Sequence, residues 1–234
     1  MKIKISKNNN IITTVEEWYQ FAPPKAKGKH WKDGRSAKSL AQFMTDKNQV
    51  KKLEDILVEL EYNTNGVISC TPEANTVLPC KGNGRNHDLL MIGEDFVVGI
   101  EAKVSESFGK TISKECVGAS KNKKDRIYIL AKELFGRKIK KDSDDDLKLK
   151  YQLLTGVYGT LLEAENNKKS KALFLVIVFT DGLTSEDENA VNRNNDDFKN
   201  FCQQIGLSAE GGTICKSNVD LTIKKVEISL KSEI

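Results

Sequence analysis

The chain has 234 residues, 38% apolar and 30% charged, a composition too apolar for disorder and a length that can bury a real core. No apolar run approaches the roughly 20 residues of a membrane-spanning helix, and the opening MKIKISKNNN lacks the apolar stretch of a secretory leader. The expected compartment is therefore the cytoplasm, with no membrane partner. The net charge of +4 is uneven, +8 through residue 52 and −4 beyond. That fits either a basic face for a polyanion or a solvated lysine-rich surface.

In chain order, TTVEEWYQF predicts a Thr-capped helix with Glu three residues on and Val15, Trp18 and Phe21 on one stripe. Pro23 and Pro24 end it. KAKGKHWKDGR is a basic loop whose Trp31 is expected to pack. Ser36 is a candidate cap for a short helix with Leu40, Phe43 and Met44 inward. NQVKKLEDILVELEY repeats Val50, Leu53, Ile56, Leu57 and Leu60 at helical spacing, and Gly66 suits the position past its end. VISC then starts a strand leading into TPEAN, and LPCKGNGRN is a glycine-bearing loop without the spacing of a P-loop. Two strands follow, HDLLMIG and FVVGIEAKV. Residues 105–125 carry no clear signal. DRIYILAKELF is a helix closed by Gly136, KKDSDDD an exposed charged turn, and LKLKYQLLTGVYGTLLEAE a long helix. ALFLVIVF is a continuous apolar run, as in a central strand covered on both faces. TDGLTSEDENAVNRNND is expected to be a loop, DFKNFCQQIG a helix, and VDLTIKKVEISL a late strand or hairpin.

The order helix, three strands, helices, strand over residues 48–179 predicts an α/β fold with a mixed central sheet flanked by helices. No linker or repeat appears. The expectation is one domain, a helical basic N-terminal lobe over residues 1–47 packed on an α/β core over 48–234. The five cysteines (Cys70, Cys80, Cys116, Cys202, Cys215) form no CxxC pair, so reduced and mostly buried thiols are expected.

The strand pair 87–104 carries the chemistry. A two-residue turn at Glu94-Asp95 would pair Gly93 with Phe96 and set Asp88 opposite Glu101, with Lys103 one step along on the same face. The other face, with Phe96, Val98, Ile100, Ala102 and Val104, is wholly apolar. A one-residue slip would drive the charges into it. Two facing, buried carboxylates repel, and a divalent cation relieves this: Mg²⁺ takes oxygen ligands from one or two carboxylates and keeps waters. Asp88, Glu101 and the backbone carbonyl of Ala102 are the candidate ligands, with Mn²⁺ as a substitute. Lys103 would hold an attacking water or offset charge on a phosphate. The set suits phosphodiester hydrolysis.

Asp88 followed by Glu101-Ala102-Lys103 resembles the D…ExK motif of the PD-(D/E)XK nuclease superfamily, whose core is helix, three strands, helix, strand. The segments HWKDGRSAKSLA, PEANTVLPCKGNGRNHDLL, EAKVSESFG and YQLLTGVYGTLLEAE are also similar to successive motifs of a bacterial nuclease-like domain family of unassigned biology. That likeness spans most of residues 30–180. It implies a restriction-endonuclease-like core, adds Glu73 as a catalytic, metal-associated acid, and implies that Gln152 reaches the site. The proline expected before the motif aspartate is replaced by His87.

Accessory positions near the site are Gln152, His87 and Glu106, the last shaping the strand exit. His87 suits a hydrogen-bonding or nucleic-acid-contact role or none. Lys29, Lys32, Arg35, Lys81 and Arg85 are candidate phosphate contacts. Each acid has a plainer role open to it: Glu101–Lys103 as an edge-strand pair, Asp88 as a loop terminator, Glu73 as a loop acid. The function expected is a Mg²⁺-dependent nuclease, a DNA endonuclease of restriction or phage defence with RNA as an open alternative substrate. Its folds often act as homodimers. The other expectation is an inactive nucleic-acid-binding or regulatory protein on the same fold.

Overall fold

The structure is a computed structural model that describes residues 1–25, 27–140 and 143–231. Its elements run β1 (Lys2–Lys7), β2 (Asn10–Ile11), α1 (Val15–Phe21), α2 (Lys27–His30), α3 (Ser36–Thr45), α4 (Lys47–Glu59), β3 (Val67–Thr76), β4 (Arg85–Ile92) and β5 (Phe96–Lys103). After these come α5 (Ile112–Cys116), α6 (Lys121–Phe135), α7 (Asp144–Lys148), α8 (Tyr151–Asn166), β6 (Lys171–Phe179), α9 (Ser185–Gln204), β7 (Gly211–Lys216) and β8 (Val219–Ile228). The predicted order over residues 48–179 is the observed one.

Among the described residues the strands form one mixed sheet of eight, in the order β2-β1-β3-β4-β5-β6-β8-β7. β5 and β6 pair in parallel from Phe96↔Lys171 to Lys103↔Val178. Both are buried almost throughout, which is why their sequences read as apolar runs. The hairpin takes the predicted register, Leu89↔Ile100 through Ile92↔Val97, and Gly93 N–H donates to the Phe96 carbonyl.

Helices cover both faces of the sheet. Trp18 of α1, Leu40 and Phe43 of α3, and Leu53 and Leu57 of α4 share one core with Phe96, Val98, Ile100, Ala102 and Val104. α6, α8 and α9 share the other with Val97, Phe174, Val176 and Val178. The hairpin's predicted apolar face thus meets the N-terminal helices. No helix among the described residues is long and apolar enough to cross a membrane.

Several expectations are corrected. Residues 2–7 are a strand, paired in parallel with β3; the alternation of Ile3 and Ile5 with lysines was its signal, and Ile5 is buried. The N-terminal segment therefore supplies two strands of the sheet, β1 and the edge strand β2, as well as helices. Ser36 starts α3 rather than capping it. α4 ends with Glu61 in the left-handed region (φ 59°), not at Gly66. α8 starts at Tyr151, because residues 110–112 pair with 149–151 through Ile112 N to Leu149 O and Tyr151 N to Lys110 O. The charged turn before it is partly buried: Asp146 is 1% exposed and takes two bonds from Arg137. α9 begins ten or more residues before the predicted helix, at a capping box of Thr184 and Asp187. Its buried stripe runs Val191, Asn194, Phe198, Phe201 and Cys202, so a polar Asn194 masked the period. Only Cys70 and Cys202 are buried; Cys80 and Cys215 are exposed.

α8 lies close against β5. A Cβ on Gly99 would collide with Thr160 Oγ1 and lie 3.0 Å from His87 Nδ1, and one on Gly156 would strike the Phe174 ring. Gly99→Ala should therefore destabilise the protein by about 1–3 kcal/mol, the usual cost of overpacking. Urea unfolding checks this; an unchanged midpoint would show that α8 is not held at this distance.

Candidate functional site

The site begins with a change of face in β3 and β4. Residues four apart on a strand share a face, yet Cys70 lies in the core under the N-terminal helices and Ala74 in the opposite core. β4 does the same: Leu89 packs with the N-terminal helices, whereas His87 packs against Gly99 and Gly159 on the α8 side. The reversal falls at Glu73 and Asp88, which the flanking pairs Pro72↔Leu89 and Ala74↔His87 place opposite each other. Glu73 has φ 47°, a left-handed backbone that a non-glycine residue adopts at a cost of about 1–3 kcal/mol. Lys7 of β1 braces the distortion, donating to the carbonyls of Pro72 (2.8 Å) and Glu73 (2.7 Å). Such irregularities re-aim side chains.

The ladder between β4 and β5 ends at Leu89↔Ile100. Asp88 and Glu101 lie just beyond it, and the predicted pair between them is not part of the ladder. Instead, Asp88 Oδ2 accepts from Ala102 N–H at 2.8 Å. In a strand, the N–H and C=O of one residue point to the same edge, so the Ala102 carbonyl is also directed toward Asp88. β5 continues along β6 to Lys103, so the sheet opens between β4 and β5 where the charged residues lie.

Glu101 is 1% exposed and Lys103 5%; they are no surface pair. Glu101 Oε2 accepts from Arg85 Nη2, and Oε1 accepts from Lys103 Nζ (2.6 Å) and Gln152 Nε2 (2.6 Å). Lys103 also donates to Gln152 Oε1 at 3.2 Å and lies 5.5 Å from the centre of the Phe108 ring. Burial opposes the charge of Glu101, but Lys103 and Arg85 outweigh it and hold its pKa below the ordinary range. Asp88 has the opposite balance. Burial, then the charge of Glu101, push its pKa up to about 8. Glu73 is raised chiefly by burial, against the hydrogen bond it accepts from Asn86.

These groups line an open cleft of about 800 Å³ whose wall also holds Lys25, His30, Ser36, Lys81, Glu106, Lys123, Tyr151 and Gln152. Of the predicted residues, Asp88, Glu101, Ala102, Lys103, Glu73, Gln152 and Glu106 come together here. Glu106 links two elements: one oxygen accepts from Ser36 N and Oγ (3.3 and 3.2 Å) and the other from Val104 N (2.8 Å). It thereby ties the exit of β5 to the start of α3. Among the predicted phosphate contacts, Lys81 is exposed on the cleft rim, while Lys32 and Arg35 are exposed outside its lining. The Lys29 side chain lies outside the described residues.

Two predicted residues are more buried than expected. Arg85 is 6% exposed and pairs with Glu101 while bordering the cleft. His87 is fully buried, burial pushes its pKa down to about 3, and neither ring nitrogen finds a partner among the described residues. It is absent from the cleft lining, and the expected hydrogen bond is not formed among the described residues. Sequence reading missed Lys123 and Lys7, whose positions depend on how α6 and β1 pack and carry no local signal.

Among the described residues no three His, Cys, Asp or Glu side chains form a metal-holding group. Mg²⁺ needs less than that, one or two carboxylates with the remaining positions filled by water. Asp88, Glu101 and the Ala102 carbonyl offer such a set, and two observations fit a cation there. The Arg85 guanidinium already stands on Glu101 Oε2 as a cation. Asp88, raised by burial and by its neighbour's charge, is a carboxyl that an added cation would ionise.

A family profile described as a domain of unknown function, DUF6946, matches residues 11–230, and the chain belongs to that family. No curated protein and no solved structure matches it.

The Asp88 pKa fixes a pH dependence in chelated protein. The folded state keeps a proton that the unfolded chain loses near 3.8 and that the native carboxyl loses near about 8. Between these values the folded state binds the extra proton, so this group's contribution to stability falls as pH rises. Asp88→Asn has no proton to lose and keeps an acceptor for Ala102 N–H. Denaturant unfolding in EDTA should therefore show wild type losing stability relative to Asp88→Asn between about pH 5 and about pH 8. Parallel pH profiles would contradict the assignment.

Proposed function

We propose that this chain is a divalent-cation-dependent nuclease of the PD-(D/E)XK kind, acting on DNA, with α4, β3–β5, the following helices and β6 as a restriction-endonuclease-like core. The observation that carries this reading is the convergence of Asp88, Glu101, Lys103 and Gln152 at the open end of β4 and β5, on the wall of a cleft. Ionisable groups whose proton affinities are shifted by burial and by a specific charge partner, set in a cleft, are candidates for a functional site.

In this reading Asp88, Glu101 and the Ala102 carbonyl hold Mg²⁺ or Mn²⁺, and Glu73 borders the same space. A bound divalent cation supplies polarisation of a phosphoryl oxygen and acidification of a water. Lys103 places a positive charge beside the scissile phosphate and donates to the attacking water. Gln152 fixes the lysine, since its amide bonds both Lys103 and Glu101. Lys25, Lys81 and Lys123 on the cleft wall engage backbone phosphates, which gives salt-dependent affinity without sequence reading.

One observation favours the other reading, an inactive nucleic-acid-binding protein on this fold. Both oxygens of Glu101 are already engaged, by Arg85 on one side and by Lys103 and Gln152 on the other.

Plasmid and single-stranded DNA incubated with Mg²⁺, Mn²⁺ or EDTA separate the two. The nuclease reading expects metal-dependent cutting that Lys103→Ala reduces by about 100-fold or more, the scale for losing one charge-stabilising donor. Binding of DNA without cutting by wild type under every condition would favour the inactive binder.

A further inference from the structure

Arg85 is the odd member of the cluster. It faces a carboxylate that already has a cation, Lys103. Adding a divalent ion without moving either would set four positive charges against Glu101 and Asp88, with Glu73 at the border of the same space. Excess cationic charge in a buried site is costly, and release of one side-chain cation relieves it.

The two candidates are held differently. Lys103 bonds both Glu101 and Gln152 and packs over Phe108. Arg85 bonds Glu101 through one nitrogen, while its Nε is buried with no hydrogen-bond partner among the described residues. An unpaired buried donor costs free energy that an exit to the cleft would recover. The exit exists, because Arg85 itself lines the cleft. Its stem lies against α8 where that helix has only a glycine: a Cβ at Gly159 would come within 3.1 Å of Arg85 Cγ and 3.0 Å of His87 Nε2. The side chain thus lies against the helix and, like that of Lys103, keeps 7% exposure toward the cleft.

We infer that Arg85 is an exchangeable counter-ion: it holds Glu101 while no metal is bound, and a divalent cation displaces it into the cleft, where its guanidinium meets a substrate phosphate. The inference rests on the cation-dependent reading of the site. It makes Arg85 a positioning residue for the metal-free state and a phosphate contact in the metal-bound one. A guanidinium suits the second task because its fork matches phosphate oxygens. The displacement also accounts for a Glu101 whose two oxygens are both engaged before any metal arrives.

The test is calorimetric titration of Mn²⁺ into wild type, Arg85→Met and Lys103→Met, without substrate. Arg85→Met should bind Mn²⁺ about 10- to 100-fold more tightly than wild type, the scale of one charge-assisted hydrogen bond removed from competition. Lys103→Met should not gain comparably. Equal or weaker binding by Arg85→Met, or an equal gain in Lys103→Met, overturns the exchange while leaving the metal site standing. No Mn²⁺ binding by wild type or Arg85→Met overturns both the exchange and the cation-dependent reading. Since Arg85→Met leaves Glu101 with one counter-ion and can fail to fold, wild type gives a second readout. The Arg85 Nε–H resonance should shift and exchange faster with solvent when Mg²⁺ is added. An unchanged resonance at saturating Mg²⁺ overturns the exchange.

Discussion

The charge of Glu101 is the constraint to which the rest of the site answers. It sits 1% exposed on β5, a strand paired on both sides and covered by helices on both faces. A carboxylate so placed stays ionised only if cations and donors are brought to it. The fold brings three from three elements: Arg85 from β4, Lys103 from two residues along β5, and Gln152 from the first turn of α8. Asp88 receives less. Its one amide bond leaves burial and the Glu101 charge to dominate, so two carboxyls in one site have opposite proton affinities. Environments that drive neighbouring acids apart in this way are a recurrent feature of reactive centres.

The packing around Glu101 is arranged to permit this. Gly99, two residues before it, lets Thr160 and His87 approach β5, and Gly159 lets Arg85 and His87 lie against α8. The pairing of residues 110–112 with 149–151 ends the preceding chain segment and starts α8 at Tyr151, which places Gln152 beside Lys103. On the other side, the face reversal at Glu73 and Asp88 opens the sheet beyond Leu89↔Ile100. Glu106 then closes the frame between β5 and α3. Close helix packing and a broken ladder are separate local devices, and both serve to leave Glu101, Lys103 and Arg85 buried yet bordering a cleft.

Much of this was legible in the sequence because period-2 alternation allows few registers. The apolar positions from Phe96 to Val104 could face only one way, so Asp88, Glu101 and Lys103 had to gather at one end. The central strand at 172–179 was equally plain from its unbroken apolar run. Other features had no local signal. Glu73 is not a glycine, so nothing announced its left-handed backbone. Arg85 follows the basic, glycine-bearing KGNG segment and looked like a surface contact, because burial depends on the approach of α8. The polar residues of α9 hid its period, since Asn194 occupies an inward position and donates to the Glu106 carbonyl at 2.8 Å. β1 was readable from two isoleucines between lysines, but its place in the sheet depends on β3, some sixty residues later.

If the opening between β4 and β5 is a cation site, a crystal of the protein soaked in Mn²⁺ and measured at the manganese absorption edge should show one strong anomalous peak bounded by Asp88, Glu101 and the Ala102 carbonyl. A map with no peak there, and with the Arg85 guanidinium still on Glu101 at saturating Mn²⁺, would rule the cation site out.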